Sequence, residues 1–227
     1  MKIGFYYNCY KNKNATDNIL RITRNYYPDN PIYLLSDKGD DFTDIAKKYN
    51  CKYKYSQVNI LGGRKINNKH FMCFSSFEHC KIYMSEVSNA IKYCNTEYLV
   101  FLEDDVLIKG NIKKFPEFAG GNIQKNNFNL LLSKEGIKKI KENYNIKFFF
   151  WSIAGGSIIK TKILEDCFKI SDEELKLFDK YCIHENHELW HTNDVLLSYL
   201  LMIKGYTVEA WTNTDKSNII HPFKKFY

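Results

Sequence analysis

The chain has 227 residues, of which 44% are hydrophobic, so it is long enough to bury a substantial core. It carries 33 Lys and Arg against 26 Asp and Glu, but the lysines are spread along the sequence rather than gathered in a basic stripe or a nucleic-acid motif. No run of about eighteen apolar residues is present, the N-terminus is too short and polar for a signal peptide, and the seven cysteines lack CxxC spacing. These features predict a soluble cytoplasmic protein without an integral membrane segment or a nucleic-acid partner. The abundance of Asn, Lys, Ile, Tyr and Phe is typical of an AT-rich genome, bacterial or viral.

The first quarter of the chain alternates between strand and helix patterns. Strands are expected at residues 2–7, 31–37 and 51–56, with helices at about 17–27 and 41–49. A polar loop is expected at residues 8–14. This β-α-β-α-β order predicts a parallel, twisted sheet with helices on its faces.

The clearest predicted helix has capping-box spacing at Ser75 and Glu78. Its apolar face is supplied by residues at helical spacing, namely Phe77, Cys80, Met84, Val87, Ile91 and Cys94. An apolar strand at residues 98–102 follows it. Further helices are expected near 133–144, at 171–182 and at 193–204, and further strands at 148–152, 155–160 and 206–211. A second capping box is expected at Ser171 and Glu174. No repeat or linker divides the chain, so we predict one domain.

Three successive acids, Glu103, Asp104 and Asp105, follow the apolar strand at residues 98–102. In an open α/β sheet ligands bind at the carboxyl ends of the strands. Crowded carboxylates are unfavourable unless a cation offsets them, and their hard oxygen ligands suit Mg²⁺ or Mn²⁺. The segment is therefore a candidate metal-diphosphate site, with a solvated acidic turn as the alternative.

Four segments together resemble one enzyme family in the same order along the chain. They are NYYPDNPIYLLSDKG, NTEYLVFLEDDVLI, WSIAGGSIIKTKIL and HTNDVLLSYLLMIKGY. They resemble the sugar-nucleotide-dependent glycosyltransferases of the GT-A fold, including the inverting, family 2-like enzymes. The acidic triplet resembles the DxD motif of that family, with Glu103 as its first acid. The resemblance implies an α/β, Rossmann-like GT-A domain spanning residues 1–227. Residues 1–105 would be the nucleotide-sugar-binding half and residues 106–227 the acceptor-binding and catalytic half.

The resemblance also implies donor and metal contacts. Asp105 would be the main ligand of Mn²⁺ or Mg²⁺, Glu103 would face the metal or the ribose, and Asp104 would belong to the donor site. Asp37 would contact the nucleoside, with an ordinary turn as the alternative. Tyr7 would lie near the base, with a core position as the alternative.

Other residues are candidate contacts to phosphates, sugar and acceptor. Arg64 and Lys65 could approach phosphates from a loop, or be solvated charges. Gly155 and Gly156 would let the backbone come close to the acceptor, or form only a turn. Trp151 and Trp190 could stack on sugar rings, although buried packing is the commoner use of tryptophan.

The stretch HELWHTND contains a literal HExxH formed by His187, Glu188 and His191, as in zinc hydrolases. The apolar helical period begins only at Val195, so the helix is expected to start after this motif. Asp194 would then lie in the first helical turn, where the helix dipole keeps it ionised. The resemblance implies that this acid is the general base, with Glu188 as the fallback and a capping role as the alternative.

The predicted reaction moves a sugar from a nucleotide-diphosphate donor, with a uridine nucleotide favoured, to the hydroxyl of a glycan or other acceptor. His221 would complete the metal site, and Lys224 or Lys225 could contact the diphosphate. A retaining glycosyltransferase, a nucleotidyltransferase, a non-catalytic sugar-nucleotide-binding domain and a zinc hydrolase remain alternatives.

Overall fold

The computed structural model describes residues 2–66, 69–71, 74–122, 124–125, 134–144, 146, 150–151, 153, 155–181 and 193–222. Its strands are β1 (Ile3–Cys9), β2 (Ile32–Ser36), β3 (Lys52–Tyr55), β4 (Arg64–Ile66), β5 (Lys69–Phe71), β6 (Tyr98–Leu102), β7 (Leu107–Ile108), β8 (Ala119–Gly121), β9 (Gln124–Lys125), β10 (Phe150–Trp151), β11 (Ile158–Lys160), β12 (Val208–Ala210) and β13 (Ile219–Ile220). Its helices are α1 (Lys13–Tyr26), α2 (Thr43–Lys48), α3 (Phe77–Cys94), α4 (Lys134–Asn143), α5 (Thr161–Cys167), α6 (Asp172–Tyr181) and α7 (Asn193–Ile203).

Seven strands form the central sheet, in the order β12-β8-β11-β6-β1-β2-β3. Strands β6, β1, β2 and β3 run parallel, β11 is antiparallel to both of its neighbours, and β12 is parallel to β8. The parallel half agrees with the β-α-β-α-β pattern. The predicted α/β class with a mostly parallel central sheet is therefore confirmed.

Alternation along the strands builds two cores, one on each face of the sheet. Tyr6, Leu99 and Phe101 point to the face that is covered by α3 and α7. Phe5 and Val100 point to the opposite face, which is covered by α1. Because both faces of β1 and β6 are buried, these strands are apolar almost throughout, and the first polar groups appear where they end.

Several element boundaries differ from the sequence predictions. Helix α1 begins at Lys13 rather than near Asp17, because the Asn12 side chain accepts a hydrogen bond from the Ala15 N–H at 3.0 Å. The predicted loop at residues 8–14 is wrong at both ends, since β1 extends to Cys9 and α1 takes the last two residues. Helix α5 and strand β8 were not predicted.

The two predicted capping boxes have different outcomes. At α6, the Ser171 N–H donates to Glu174 Oε2 at 2.9 Å, and the Glu174 N–H donates to Ser171 Oγ at 3.2 Å, so that box is confirmed. At α3 the box is wrong, because Ser76 is the residue before the helix and the Ser75 hydroxyl donates to the Asn59 carbonyl instead.

The three small sheets lie outside the central one. Strands β4 and β5 form an antiparallel pair, so Arg64 and Lys65 lie in a strand and not in the predicted loop. Strands β9 and β10 form a second pair and β7 and β13 a third. Within the described residues, every helix is too short or too polar to cross a membrane.

Candidate active site

The acidic triplet lies at the carboxyl end of β6, next to the end of β1 in the sheet. The chain turns sharply there, with the Val106 N–H donating to the Glu103 carbonyl at 3.1 Å. Because of this turn the three acids do not share one environment. Asp104 contacts β1, whereas Glu103 and Asp105 face the last described segment of the chain.

The pairing of β7 with β13 brings His221 to the acids. In this antiparallel pair Ile220 is opposite Leu107, so the residue after β13 comes beside the residues before β7. His221 Nε2 lies 3.0 Å from Asp105 Oδ1 and 3.6 Å from Glu103 Oε2. The strand pair therefore joins two segments that are distant in sequence into one cluster.

Glu103, Asp105 and His221 could hold a metal ion together. One ligand atom from each lies within 4.8 Å of the others. Asp105 and His221 are buried, which fixes their side chains before any ion arrives. Two carboxylates and one imidazole form a donor set compatible with Mn²⁺, and the residues present therefore fit the predicted cation.

The electrostatics of the cluster favour a positive charge. Burial raises the pKa of Glu103 to about 8, and the negative charges of Asp194, Asp105 and Asp104 add to this shift. His221 opposes the shift, and the Glu103 side chain is still 33% exposed. Burial alone would lower the pKa of His221, but the hydrogen bond with Asp105 and the charge of Glu103 raise it overall. The carboxylates are thus short of compensating cations, as a metal site requires.

The backbone at residues 155 and 156 forms one wall of this cluster. A Cβ added at Gly155 would come 2.9 Å from Cδ of Glu103 and 2.9 Å from Cγ2 of Val106, so any larger residue here would force the Glu103 side chain to shift. Gly156 has a φ of +79° and donates its N–H to the Phe101 carbonyl at 2.7 Å. Of the two predicted acceptor glycines, Gly155 therefore lies against the predicted metal ligand Glu103, whereas Gly156 lies against Ile219 and Thr212.

Two residues that the sequence analysis did not single out support the cluster. Thr212 donates its hydroxyl to the Gly156 carbonyl at 3.1 Å. Asn213, with a φ of +63°, accepts the His221 N–H on its side-chain oxygen at 2.8 Å. An asparagine in a TNTD stretch is a turn signal, but nothing local indicates that it holds His221.

Tyr7 supports the middle acid of the triplet. Its hydroxyl donates to Asp104 Oδ1 at 2.6 Å, and its ring is fully buried on the α1 face. Burial raises the pKa of Asp104, and the hydrogen bond from Tyr7 partly offsets this. The predicted contact between Tyr7 and a base stays a prediction, while the described contact is to Asp104.

Asp37 anchors the loop that follows β3. It is 4% exposed and accepts hydrogen bonds from the N–H groups of Ile60 at 2.6 Å and Leu61 at 3.0 Å. Burial raises the pKa of its carboxyl, and the two N–H groups oppose that shift. Its contact with a nucleoside stays a prediction.

Asp194 lies in the first turn of α7, as predicted, with Asn193 as the first helical residue. The expectation that the helix N-terminus keeps its carboxylate ionised is wrong at neutral pH. Burial, followed by the charge of Asp105, raises the pKa of Asp194 to about 7. Since Asp194 in turn raises the pKa of Glu103, the candidate base belongs to the same electrostatic cluster as the metal ligands.

Several predicted residues lie outside the described part of the chain. They are Trp190, the HExxH residues His187, Glu188 and His191, and the tail residues Lys224 and Lys225. For Trp151, Arg64 and Lys65 the structure describes the strands that contain them, but not the surroundings of their side chains.

The fold is that of the GT-A glycosyltransferases. The chain is similar to the galactosyltransferase LgtC, whose structure was solved in complex with donor and acceptor sugar analogues. The match covers 93% of this chain and 75% of LgtC, with a TM-score of 0.53 and 14% sequence identity. An active-site mutant of LgtC gives a TM-score of 0.52 at 12% identity, with 93% of this chain and 74% of that one covered.

A third structure is that of the bifunctional glycosyltransferase WbbM without ligand. It has a TM-score of 0.51 and 11% identity, and the match covers 93% of this chain but only 39% of WbbM. This chain therefore spans well under half of that protein. No protein-family profile matches the sequence, and no curated protein is significantly similar to it.

Proposed function

We propose that this chain is a metal-dependent glycosyltransferase that moves a sugar from a nucleoside-diphosphate donor to an acceptor hydroxyl. One observation carries the proposal: Glu103, Asp105 and His221 converge at the carboxyl end of β6 in a GT-A fold. Such strand ends are where ligands bind in open α/β sheets. When bound there, a divalent cation would neutralise the charge of the diphosphate leaving group.

The residues of the chain divide the remaining work. Asp194 takes the proton from the acceptor hydroxyl, whose oxygen attacks the anomeric carbon as the bond to the diphosphate breaks. A base with a pKa of about 7 is half ionised at neutral pH, so it both accepts the proton and releases it readily. Tyr7 donates a hydrogen bond to Asp104, and Gly155 leaves room for the Glu103 side chain. Tyr7 and Gly155 therefore determine the shape of the site.

A single displacement of this kind inverts the anomeric configuration of the sugar. The configuration of the product, read by ¹H NMR, therefore tests the part given to Asp194. An inverted product supports it, and a retained configuration assigns the chain to the alternative retaining class.

The function itself is tested by screening nucleotide sugars for hydrolysis and transfer with Mn²⁺ and with EDTA. We expect turnover of at least one donor that is lost in EDTA and restored by Mn²⁺. Uridine-linked sugars are the first choice, and glycans are the proposed acceptors. Absence of turnover and of binding across UDP-, GDP- and ADP-linked sugars would contradict the proposal.

A further inference from the structure

Asp37 lies at the same edge of the sheet as the acidic cluster, two strands away. It directly follows β2, and its N–H donates to the Cys9 carbonyl at 2.8 Å, which continues the ladder between β1 and β2 by one residue. Because β1 separates β2 from β6, the ends of β2 and β6 are about 10 Å apart across the sheet. A nucleoside diphosphate whose phosphates are held at Asp105 is long enough to reach Asp37.

Both carboxylate oxygens of Asp37 are used within the chain. Oδ1 accepts the Ile60 N–H at 2.6 Å, and Oδ2 accepts the Leu61 N–H at 3.0 Å. Hydrogen bonds to an ionised carboxylate are stronger than those between neutral groups. The residue is also buried, so a base that donated to this carboxylate would have to displace the backbone that already occupies it.

The two N–H groups belong to a segment here called the Asp37 loop, residues 56–62. Its first residue is fixed to β2, since the Ser56 N–H donates to the Ser36 carbonyl at 2.8 Å. Its middle is fixed by the Ile60 side chain, which has no solvent exposure and packs in the core on the α3 face. Residues 56–62 contain no helix or strand, so contacts such as the two bonds to Asp37 set the path of this backbone.

We propose that Asp37 is a positioning residue, which holds the Asp37 loop as one wall of the nucleotide site, and that its carboxylate does not contact the nucleoside. The inference rests on the proposed function and replaces the contact that the resemblance implied for this residue. Fixing the loop before the donor arrives lowers the ordering cost of binding. Asp37 therefore strengthens the binding of every nucleoside diphosphate by the same factor and does not select the base.

The variant Asp37→Asn separates a positioning role from a direct contact. Asparagine keeps one acceptor oxygen but presents an NH₂ group to the second backbone N–H, so the Asp37 loop loses one of its two bonds. We expect the Kd values of UDP, GDP, ADP and 2′-deoxy-UDP in Mn²⁺ all to rise by about tenfold, with their ratios within about twofold of wild type. Asp40→Asn, a partly exposed acid three residues later, is the matched control and should bind all four as wild type does.

Turnover of the best donor gives a second measurement. In Asp37→Asn the KM for the donor should rise by a factor similar to that of the Kd values. The kcat should stay within about twofold of wild type, because Asp37 lies two strands away from the acidic cluster. An acid that only stabilised the fold would leave both constants of the folded protein unchanged.

The amide protons of Ile60 and Leu61 report on the same two bonds without any ligand. In wild type both should be protected from hydrogen exchange, and in Asp37→Asn they should exchange at least about tenfold faster. The amides of β1 serve as the internal reference and should keep their wild-type rates. Because the wild-type measurement needs no variant, it tests the inference even if Asp37→Asn does not fold.

Each other result has a defined meaning. A loss in Asp37→Asn that is confined to one base, or that is smaller for 2′-deoxy-UDP than for UDP, shows a direct contact with the base or the ribose and overturns the inference. Unchanged nucleotide binding in Asp37→Asn, or rapid exchange of the Ile60 and Leu61 amides in wild type, also overturns it. In these cases Mn²⁺-dependent nucleotide binding by wild type leaves the proposed function standing, whereas the absence of such binding overturns the proposed function and the inference together.

Discussion

His221 Nε2 lies 3.0 Å from Asp105 Oδ1, although the two residues are 116 positions apart in the sequence. The two-residue strands β7 and β13 produce this contact by pairing just after Asp105 and just before His221. A short strand pair thus determines whether His221 lies beside the acidic turn as the proposed third metal ligand.

The first prediction concerns this third ligand. His221→Gln should weaken Mn²⁺ binding by at least about tenfold, because it removes the imidazole from the cluster. Isothermal titration calorimetry of the purified chain measures the effect. His79→Gln changes a histidine on α3 as the matched control, and comparable Mn²⁺ affinities for the two variants would show that His221 is not a ligand.

The second prediction concerns the support of His221. Asn213→Gly keeps a residue suited to a φ of +63° but removes the side-chain oxygen that accepts the His221 N–H. We expect Mn²⁺ affinity to fall several-fold with little loss of thermal stability, since residues that orient metal ligands affect affinity. Asn50→Gly, also at a positive φ of 47°, is the control. An unaltered affinity in Asn213→Gly would remove Asn213 from the site.

The third prediction tests the wall beside Glu103. Gly155→Ala puts a methyl group 2.9 Å from Cδ of Glu103 and from Cγ2 of Val106, so Glu103 must move. We expect weaker Mn²⁺ binding and reduced turnover. Gly205→Ala meets no atom within 4 Å but is strained by a φ of +77°, so it should cost about 1 kcal/mol of stability without affecting the metal. Equal effects of both variants on Mn²⁺ binding would contradict the prediction.

The fourth prediction is the pH dependence of transfer. The pKa of Asp194 is raised to about 7, and a general base works only when it is deprotonated. Activity should therefore rise from pH 6 to pH 8, with a midpoint at or below about 7, because a bound cation favours the carboxylate. Stopped assays of kcat at saturating Mn²⁺ and donor measure the profile.

The matching variant is Asp194→Asn. It should bind donor as wild type does and lose transfer by at least about a hundredfold. A flat wild-type profile between pH 6 and 8, or an active Asp194→Asn, would assign the base to another residue.

Part of the fold and of the site could be predicted from the sequence, because it depends on patterns of neighbouring residues along the chain. Strands β1, β2 and β6 are nearly continuous apolar segments, and the acids at 103–105 mark where β6 ends. The helical period from Val195 placed Asp194 in a first helical turn, which the structure confirms. These signals depend only on neighbours along the chain.

The remaining features depend on contacts between distant segments. Strand β7 has two residues, too few for a pattern, so its pairing with β13 could not be read from the sequence. The prediction that Asp194 stays ionised also failed because of contacts between distant segments. Burial and the charge of Asp105 raise the pKa of Asp194 and outweigh the effect of the helix dipole.

The most direct test of the central claim compares wild type with Asp105→Asn in Mn²⁺-dependent binding of nucleoside diphosphate. Asp172→Asn, an acid whose side chain is 53% exposed, serves as the control. If the cluster binds the metal, Mn²⁺ should strengthen nucleotide binding at least about tenfold in wild type and in the control. The Asp105→Asn variant should lose this effect. If Asp105→Asn keeps the full Mn²⁺ dependence, or if Mn²⁺ has no effect on wild type, the cluster at the end of β6 is not a metal-diphosphate site.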